Sequence, residues 1–470
     1  RPSSLAPRPS SLAPRPSPDA SRQAFFAEAL LAHRREGFLW QKLRAPRSFD
    51  YQVSRNKGFN EHLVMGRFAL SDAEVEAIAT FVLGLVAEPP AARYVHQPQG
   101  RTQAIVEGRK VLDQYGCGEC HVLGLERWTF QYDPATFPAP RETPEYPFLK
   151  PQVTAERLAA SRAVDRRGLC QVEVIGMPRV DAQGKLLEDE DDEGRPLYLF
   201  DLWEPAVIAG KVWSVGGAQV PVAKAQLTAV RAPWGGALAR LLYPSVLAEA
   251  KAGGVTVADM AAWGWLPPPL AHEGRKVEPR WLHDYVLNPV PIRPAAVLRM
   301  PRYNLSSAEA GKLADYFAAA CAAEAPYSVS SGRRDSSQTA IDSADAERLA
   351  GAMRILTDRK TFCAKCHAIG DFTPGGEVQT SLAPNLEGVG RRLRPEYLRQ
   401  WLANPKSVLP YTAMPVNFPP TGEPLGQDLY RAASREQLDA VVDLLVNYDW
   451  YMKRRTSIRT MIESAHQKPK

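Results

Sequence analysis

The chain is 470 residues long, 45% hydrophobic and 23% charged with a net charge of +6, a size that accommodates two to four domains. That charge is small for the length and the basic clusters are short ("RRLR" at 391–394, "KRR" at 453–455), which excludes a nucleic-acid reader but leaves room for a basic rim facing an acidic protein partner. Six cysteines are too few for a disulfide scaffold, no apolar run reaches the ~18 residues of a membrane span, and 41 prolines demand long irregular connections.

Residues 1–24 open with "RPSSLAPRPSSLAPRPSP", a repeated Ser/Pro/Arg unit expected to be disordered. The chain begins at Arg1 with neither an initiator methionine nor a signal peptide, and this start is read as incomplete or processed. Within 25–98, "REGFLWQKLRAPRSFD" (35–50) predicts a short helix that stops before a proline. In "EHLVMGRFALSDAEVEAIATFVLGLV" (61–86), Ser71 and Glu74 form a capping box ahead of an apolar helix.

Residues 117–121 read "CGECH". Behind them, over about 129–265, lies a stretch with no counterpart elsewhere in the chain. Its runs at 171–179, 196–201 and 208–222 favour strands separated by Gly/Asp turns, so a small β-rich subdomain or extended hairpins are expected. Its acidic run "EDEDDE" (188–193) reads as a solvated loop or, without the ordered spacing of a known loop, a calcium site. Trp203 is either core or a partner surface, and Trp263 and Trp265 in "AAWGWLPPP" are placed to wall a bound group.

Two later blocks match. "PPPLAHEGRKVEPRWLHDYVLNPVPIRPAAVLRMP" (267–301) and "SLAPNLEGVGRRLRPEYLRQWLANPKSVLPYTAMP" (381–415) align without a gap over their first halves. Pro268 falls on Pro384, Leu270 on Leu386, Gly274 on Gly390 and Asn288-Pro289 on Asn404-Pro405. Each contains a short amphipathic helix bounded by prolines and reaches a Met-Pro pair, at Met300 and Met414. The stretch after Met300 also echoes the one after Met65, with Ser306 and Glu309 repeating the capping box. A linker is expected over 328–340, and a second pentapeptide, "CAKCH", stands at 363–367 ahead of the second block. A closing helix is expected over 434–452, with Leu438, Val441, Val442, Leu445 and Tyr448 on one stripe, and a polar tail over 456–470.

Cys-x-x-Cys-His is the attachment signature of c-type haem, in which two thiols become thioethers and the adjacent imidazole meets iron. A thioredoxin-like pair needs only the two cysteines, and a zinc site needs a fourth ligand at familiar spacing that neither motif has nearby. Met300 and Met414 are either core fillers or soft axial ligands, and their shared context after matched helices favours ligation. The carbonyls of Pro268 and Pro384 are candidates to accept the Nδ1–H of the motif histidine and fix its tautomer. His272 and His283 compete with Met300 by proximity in sequence. Cys170 and Cys321 are either one disulfide or two buried thiols.

Carried by these motifs, the regions 99–327 and 341–455 resemble class I cytochrome c domains. The resemblance implies a mainly α fold of tandem cytochrome c-type helical domains, the first interrupted by the β-rich insertion. It implies two covalent haem c groups, held by Cys117, Cys120, His121 and Met300 and by Cys363, Cys366, His367 and Met414, with Pro268 and Pro384 behind the histidines. Residues 25–98 resemble the back half of a third such domain lacking its CxxCH. The expected function is electron transfer between redox proteins, in a bacterial periplasmic or otherwise extracytoplasmic setting. The alternative is a haem enzyme of peroxidase or small-molecule oxidoreductase type, in which the first haem keeps an open or exchangeable distal position.

Overall fold

A computed structural model of the chain describes residues 18–49, 65–85, 97–141, 144–181, 185–191, 193–252, 259–294, 296, 298–323, 343–375, 383–452, 457–459 and 462. The stretch 1–17, the linker expected over 328–340 and nearly all of the tail lie outside the described residues. The chain forms two compact bodies, residues 1–97 and 98–470.

In the first body, α1 (Pro18–Leu31) begins inside the stretch 1–24 expected to be disordered and packs on α2 (Arg35–Arg44), with Phe26 stacked on Trp40 at 4.2 Å and Val75 of α3 (Asp72–Gly84) completing the small core. Helix α2 ends ahead of Pro46, whose missing N–H cannot continue the ladder. Helix α3 starts at the Ser71/Glu74 capping box, with both reciprocal hydrogen bonds formed. Phe81 and Leu85 at its far end are 66% and 65% exposed, whereas Tyr316, which aligns with Phe81, is buried.

The second body begins with α4 (Gly100–Gln114) and the one-turn α5 (Cys117–Cys120), entered through Gly116 in the left-handed region at φ 62°. Strand β1 (Val122–Gly124) pairs with the late strand β10 (Trp234–Gly235), and this neck joins the insertion to its host. Beyond the neck lie β2 (Arg127–Tyr132), α6 (Ala155–Ala160), β3 (Cys170–Pro178), β4 (Asp189–Glu190) and β5 (Pro196–Leu202). After them come β6 (Ala206–Ile208), β7 (Lys211–Trp213), β8 (Val220–Ala223) and β9 (Leu227–Arg231). Antiparallel pairing orders the main sheet β4-β5-β3-β2-β9, with β8 added to β5, while β6 and β7 form a separate hairpin. Alternate residues of β2 face inward, so Trp128, Phe130 and Tyr132 fill one core with Phe200.

The acidic run is solvated as expected, with Glu188, Glu190 and Glu193 exposed, but two of its residues leave the loop for a strand. Asp189 and Glu190 form the edge strand β4, and Glu188, Asp189 and Asp191 pair with Lys224, Arg179 and Arg195. Among the described residues of the run, no three carboxylates are grouped to hold a metal ion. Cys170 lies in the sheet core and Cys321 is buried at the end of a helix, both as free thiols.

Helix α7 (Ala237–Ala252), which runs through Pro244, leads back to the first matched block. There α8 (Glu273–Lys276), α9 (Pro279–Leu287) and α10 (Ser307–Ala320) follow in turn. The second repeat supplies α11 (Ser343–Thr357), α12 (Val389–Arg392), α13 (Pro395–Ala403), α14 (Ser434–Val446) and α15 (Tyr448–Met452). The closing helix expected over 434–452 is broken at Asn447. The Asn447 side-chain amide donates to the Asp443 carbonyl and carboxylate at 3.1 and 2.6 Å, a local bond that competes with helix propagation.

Gly274 and Gly390 explain why α8 and α12 can lie against the closing helices. A Cβ on Gly274 would stand 2.0 Å from the Phe317 carbonyl oxygen, and one on Gly390 would stand 2.2 Å from that of Leu445. Both repeats contribute to one continuous core running from Val111 and Leu112 to Leu444 and Tyr448.

Candidate functional site

The two pentapeptides fold alike. In each, the histidine N–H closes a turn on the first cysteine's carbonyl, at 3.1 Å for His121 to Cys117 and 2.9 Å for His367 to Cys363. The imidazole then turns inward, and its Nδ1 meets a proline carbonyl: 2.9 Å from His121 to Pro268 and 2.7 Å from His367 to Pro384. Proline is suited to the position because its carbonyl accepts while its nitrogen carries no proton to compete. One step on, the Leu270 N–H donates to the Val122 carbonyl at 2.8 Å, and the Leu386 N–H to Ala368 at 2.9 Å. The insertion thus departs and returns without disturbing a two-bond latch that the second repeat closes directly.

A carbonyl accepts only from a protonated nitrogen, so each Nδ1 bears the hydrogen and each Nε2 presents a free lone pair. Burial lowers both histidine pKa values, against the opposing effect of the proline hydrogen bonds, and keeps the rings neutral. Burial raises the thiols of Cys117 and Cys120, and pushes Cys363 up to about 12. These thiols lack the lowered pKa of a redox-active pair. Among the described residues, no group of three or more His, Cys, Asp or Glu side chains is arranged to hold a metal ion, so the zinc alternative lacks its ligand set.

Both sites open into one cavity of about 720 Å³. His121 and His367, Met300 and Met414, Pro268 and Pro384, and Cys117, Cys120 and Cys363 line it, while Cys366 is exposed. His272 and His283 do not line it. His283 faces Ser307, with Nε2 3.0 Å from the hydroxyl oxygen. His272 Nε2 lies 3.3 Å from the Glu204 carboxylate, outside hydrogen-bond geometry, and burial lowers its pKa. Trp265 lines the cavity as expected, but Trp263 does not: its indole N–H points to the Met177 sulfur at 3.1 Å. Met65 is half-buried in the other body, and its neighbours 50–64 lie outside the described residues.

Several cavity residues carry no motif in the sequence. Trp281 stacks on Tyr285 with centroids 4.8 Å apart, and Tyr397 on Trp401 at 6.4 Å. These are one helix turn apart at matching positions of α9 and α13, with the two residue types exchanged. Glu273, only 7% exposed, pairs with Lys276 at 2.9 Å, where the second repeat carries Val389 and Arg392. Arg392 is half-buried in the cavity wall, and its buried Nε has no hydrogen-bond partner. A guanidinium with a buried, orphaned N–H suits a carboxylate-bearing ligand. Paired prolines and Met-Pro sequences mark the ligand-type residues, whereas Arg392 sits in the short basic cluster "RRLR", where nothing in the sequence sets it apart from Arg391 and Arg394.

The cavity lining thus brings together thiols, two imidazoles, two thioether sulfurs, aromatic rings and one arginine with an unpartnered Nε. Comparison with known protein families, curated proteins and solved structures finds no match to the chain.

Proposed function

We propose that this chain is a dihaem c-type cytochrome that passes electrons between redox protein partners. The observation that carries this reading is the duplicated constellation: CxxCH, a histidine held by a proline carbonyl, and a methionine, twice over, facing one cavity.

Cys117 and Cys120, and Cys363 and Cys366, would anchor the groups as thioethers. His121 and His367 would offer Nε2, oriented by Pro268 and Pro384. Met300 and Met414, which line the same cavity, would offer their thioether sulfurs to the iron. When bound, haem c supplies a reversible one-electron iron couple. The apolar and aromatic side chains that line the cavity would limit water at the site, and the hydrogen bonds from Nδ1 to Pro268 and Pro384 would hold each imidazole in one tautomer. With both a histidine and a methionine bound, each iron would have no place for an exogenous ligand, which favours outer-sphere electron transfer over the peroxidase-type alternative. Glu273 distinguishes the first site electrostatically from the second, which has Val389 in its place.

Among the described residues, no helix is long and apolar enough to cross a membrane. Covalent attachment, as in the class I cytochromes c that the motifs resemble, would imply action outside the cytoplasm, facing a soluble or membrane-bound redox protein. Intact-mass measurement of the matured protein tests the reading: the mass should exceed the polypeptide by two haem groups. Cys117→Ala/Cys120→Ala and Cys363→Ala/Cys366→Ala should each remove one. A mass equal to the bare chain would refute it.

A further inference from the structure

The insertion has no counterpart in the second repeat, yet it touches the segments that carry both methionines. In the first repeat, Arg293 lies in the connection between α9 and Met300. Its guanidinium donates to the carbonyls of Trp263, Gly264 and Leu266, at 3.3, 2.8 and 2.7 Å. Three carbonyl acceptors arranged around one fork fix both the position and the plane of that side chain.

The second repeat reaches the same place from the other side. Tyr411 lies three residues before Met414, and its ring sits edge-on to Trp203, with centroids 5.8 Å apart. Trp203 in turn sits edge-on to Trp263, also at 5.8 Å. Lys406, earlier in the same loop, is backed by the turn at Gly216, where an added Cβ would stand 2.8 Å from the Lys406 Cβ. Within the loop, the Thr412 N–H donates to the Leu409 carbonyl at 3.1 Å, and the Met414 N–H to the Thr412 hydroxyl at 3.1 Å. Displacing Tyr411 therefore disturbs the turn that delivers Met414. Trp263 is the common point: its carbonyl takes Arg293, and its ring backs Trp203 against Tyr411.

We propose that the insertion is a shared clamp on the two methionine loops, with Arg293 and Tyr411 as positioning residues that hold Met300 and Met414 toward the cavity. The proposal rests on the dihaem reading. It assigns the insertion a purpose that accounts for its attachment: a sheet added to the first repeat steadies a ligand loop of the second.

The test uses the matured full-length protein. In the reduced state, the ring-current-shifted methyl signals of ligating methionines are recorded by proton NMR and assigned with Met300→Ala and Met414→Ala. Trp203→Ala should remove or broaden the Met414 signal and spare that of Met300, and Arg293→Gln should do the reverse. The rate at which added imidazole displaces methionine in the oxidised protein should rise roughly tenfold at the affected site alone, the factor equivalent to about 1.4 kcal/mol. Tyr411→Leu breaks the same contact from the loop side without touching the sheet and should reproduce Trp203→Ala, while Trp203→Phe should restore the wild-type signal. Unchanged signals and displacement rates in Trp203→Ala, Tyr411→Leu and Arg293→Gln would overturn the clamp while leaving the dihaem reading standing. Absence of both methionine signals from a wild-type protein that carries two haems would overturn the ligand assignment, and the clamp with it.

Discussion

Val277 and Leu393 occupy the same place in the two matched blocks, and they pair with each other through an antiparallel bridge. The bonds on either side are reciprocal. The Glu278 N–H donates to the Arg392 carbonyl at 2.8 Å, and the Arg394 N–H to the Lys276 carbonyl at 2.9 Å. Two copies of one segment meeting through their own equivalent residues define a local two-fold axis, the arrangement of a symmetric dimer interface written within one chain. This axis explains why two sites distant in sequence share one cavity. It also makes the bridge a point where damage should affect both repeats.

Val277→Asp and Leu393→Asp each place a carboxylate where the native side chain is at most 5% exposed. Each should lower stability by about 3 kcal/mol, the cost of a buried, unpartnered polar group. Because the residues touch, the double variant should lose less than the sum of the two. Thermal unfolding of the four proteins measures this coupling.

Gly274→Ala and Gly390→Ala should each cost about 2 kcal/mol, because the new methyl meets a helix carbonyl that cannot retreat. Gly388→Ala, two residues away from Gly390, meets nothing within 4 Å and should be nearly neutral. Denaturant midpoints of the three variants separate crowding from a general intolerance of alanine.

Hydrogen bonds from Ser306 and Tyr115 hold the Glu309 carboxyl below its ordinary pKa. Folding therefore favours the charged form. The stability it contributes is present above the unfolded-state value and is lost as pH falls through the lower folded-state value. Loss of helix α10 protection should thus begin below about pH 4.3, the usual glutamate pKa. Glu309→Gln should flatten this part of the profile in amide hydrogen exchange.

Arg392→Leu should leave the haem-free protein as stable or more so, because it removes a guanidinium whose buried Nε lacks a partner. In the matured protein the same change should lower the melting temperature, since the carboxylate partner would then go unpaired. Calorimetry on both forms reads the reversal of sign.

Much of this architecture is written locally. Ser71 and Ser306 mark helix starts because their caps are made within four residues, and Pro279 and Pro395 do so by fixing the first turn. The proline carbonyls behind His121 and His367 were legible because the second repeat sets them a short step apart and the first repeats the pattern across the insertion. Other features depend on contacts that no local pattern encodes. The apolar stripe of the closing helix runs past Asn447 to Tyr448, so hydrophobic period alone gives no sign of the break. Trp263 looks like a cavity wall in sequence beside Trp265, but Met177 and Trp203 draw it to the other side. The separate repeats read from the sequence form a single core, because Val277 and Leu393 meet through backbone bonds that side-chain pattern does not reveal.

The most direct test of the central claim is an absorption spectrum of the purified, matured protein, with haem counted per chain in alkaline pyridine. A dihaem cytochrome with two His/Met sites should show two covalent haems and, in the oxidised protein, the weak far-red band of methionine-ligated iron at the intensity of two sites. Met300→Ala and Met414→Ala should each halve that band. Fewer than two haems per chain, or two haems with a high-spin spectrum and no far-red band, would contradict it.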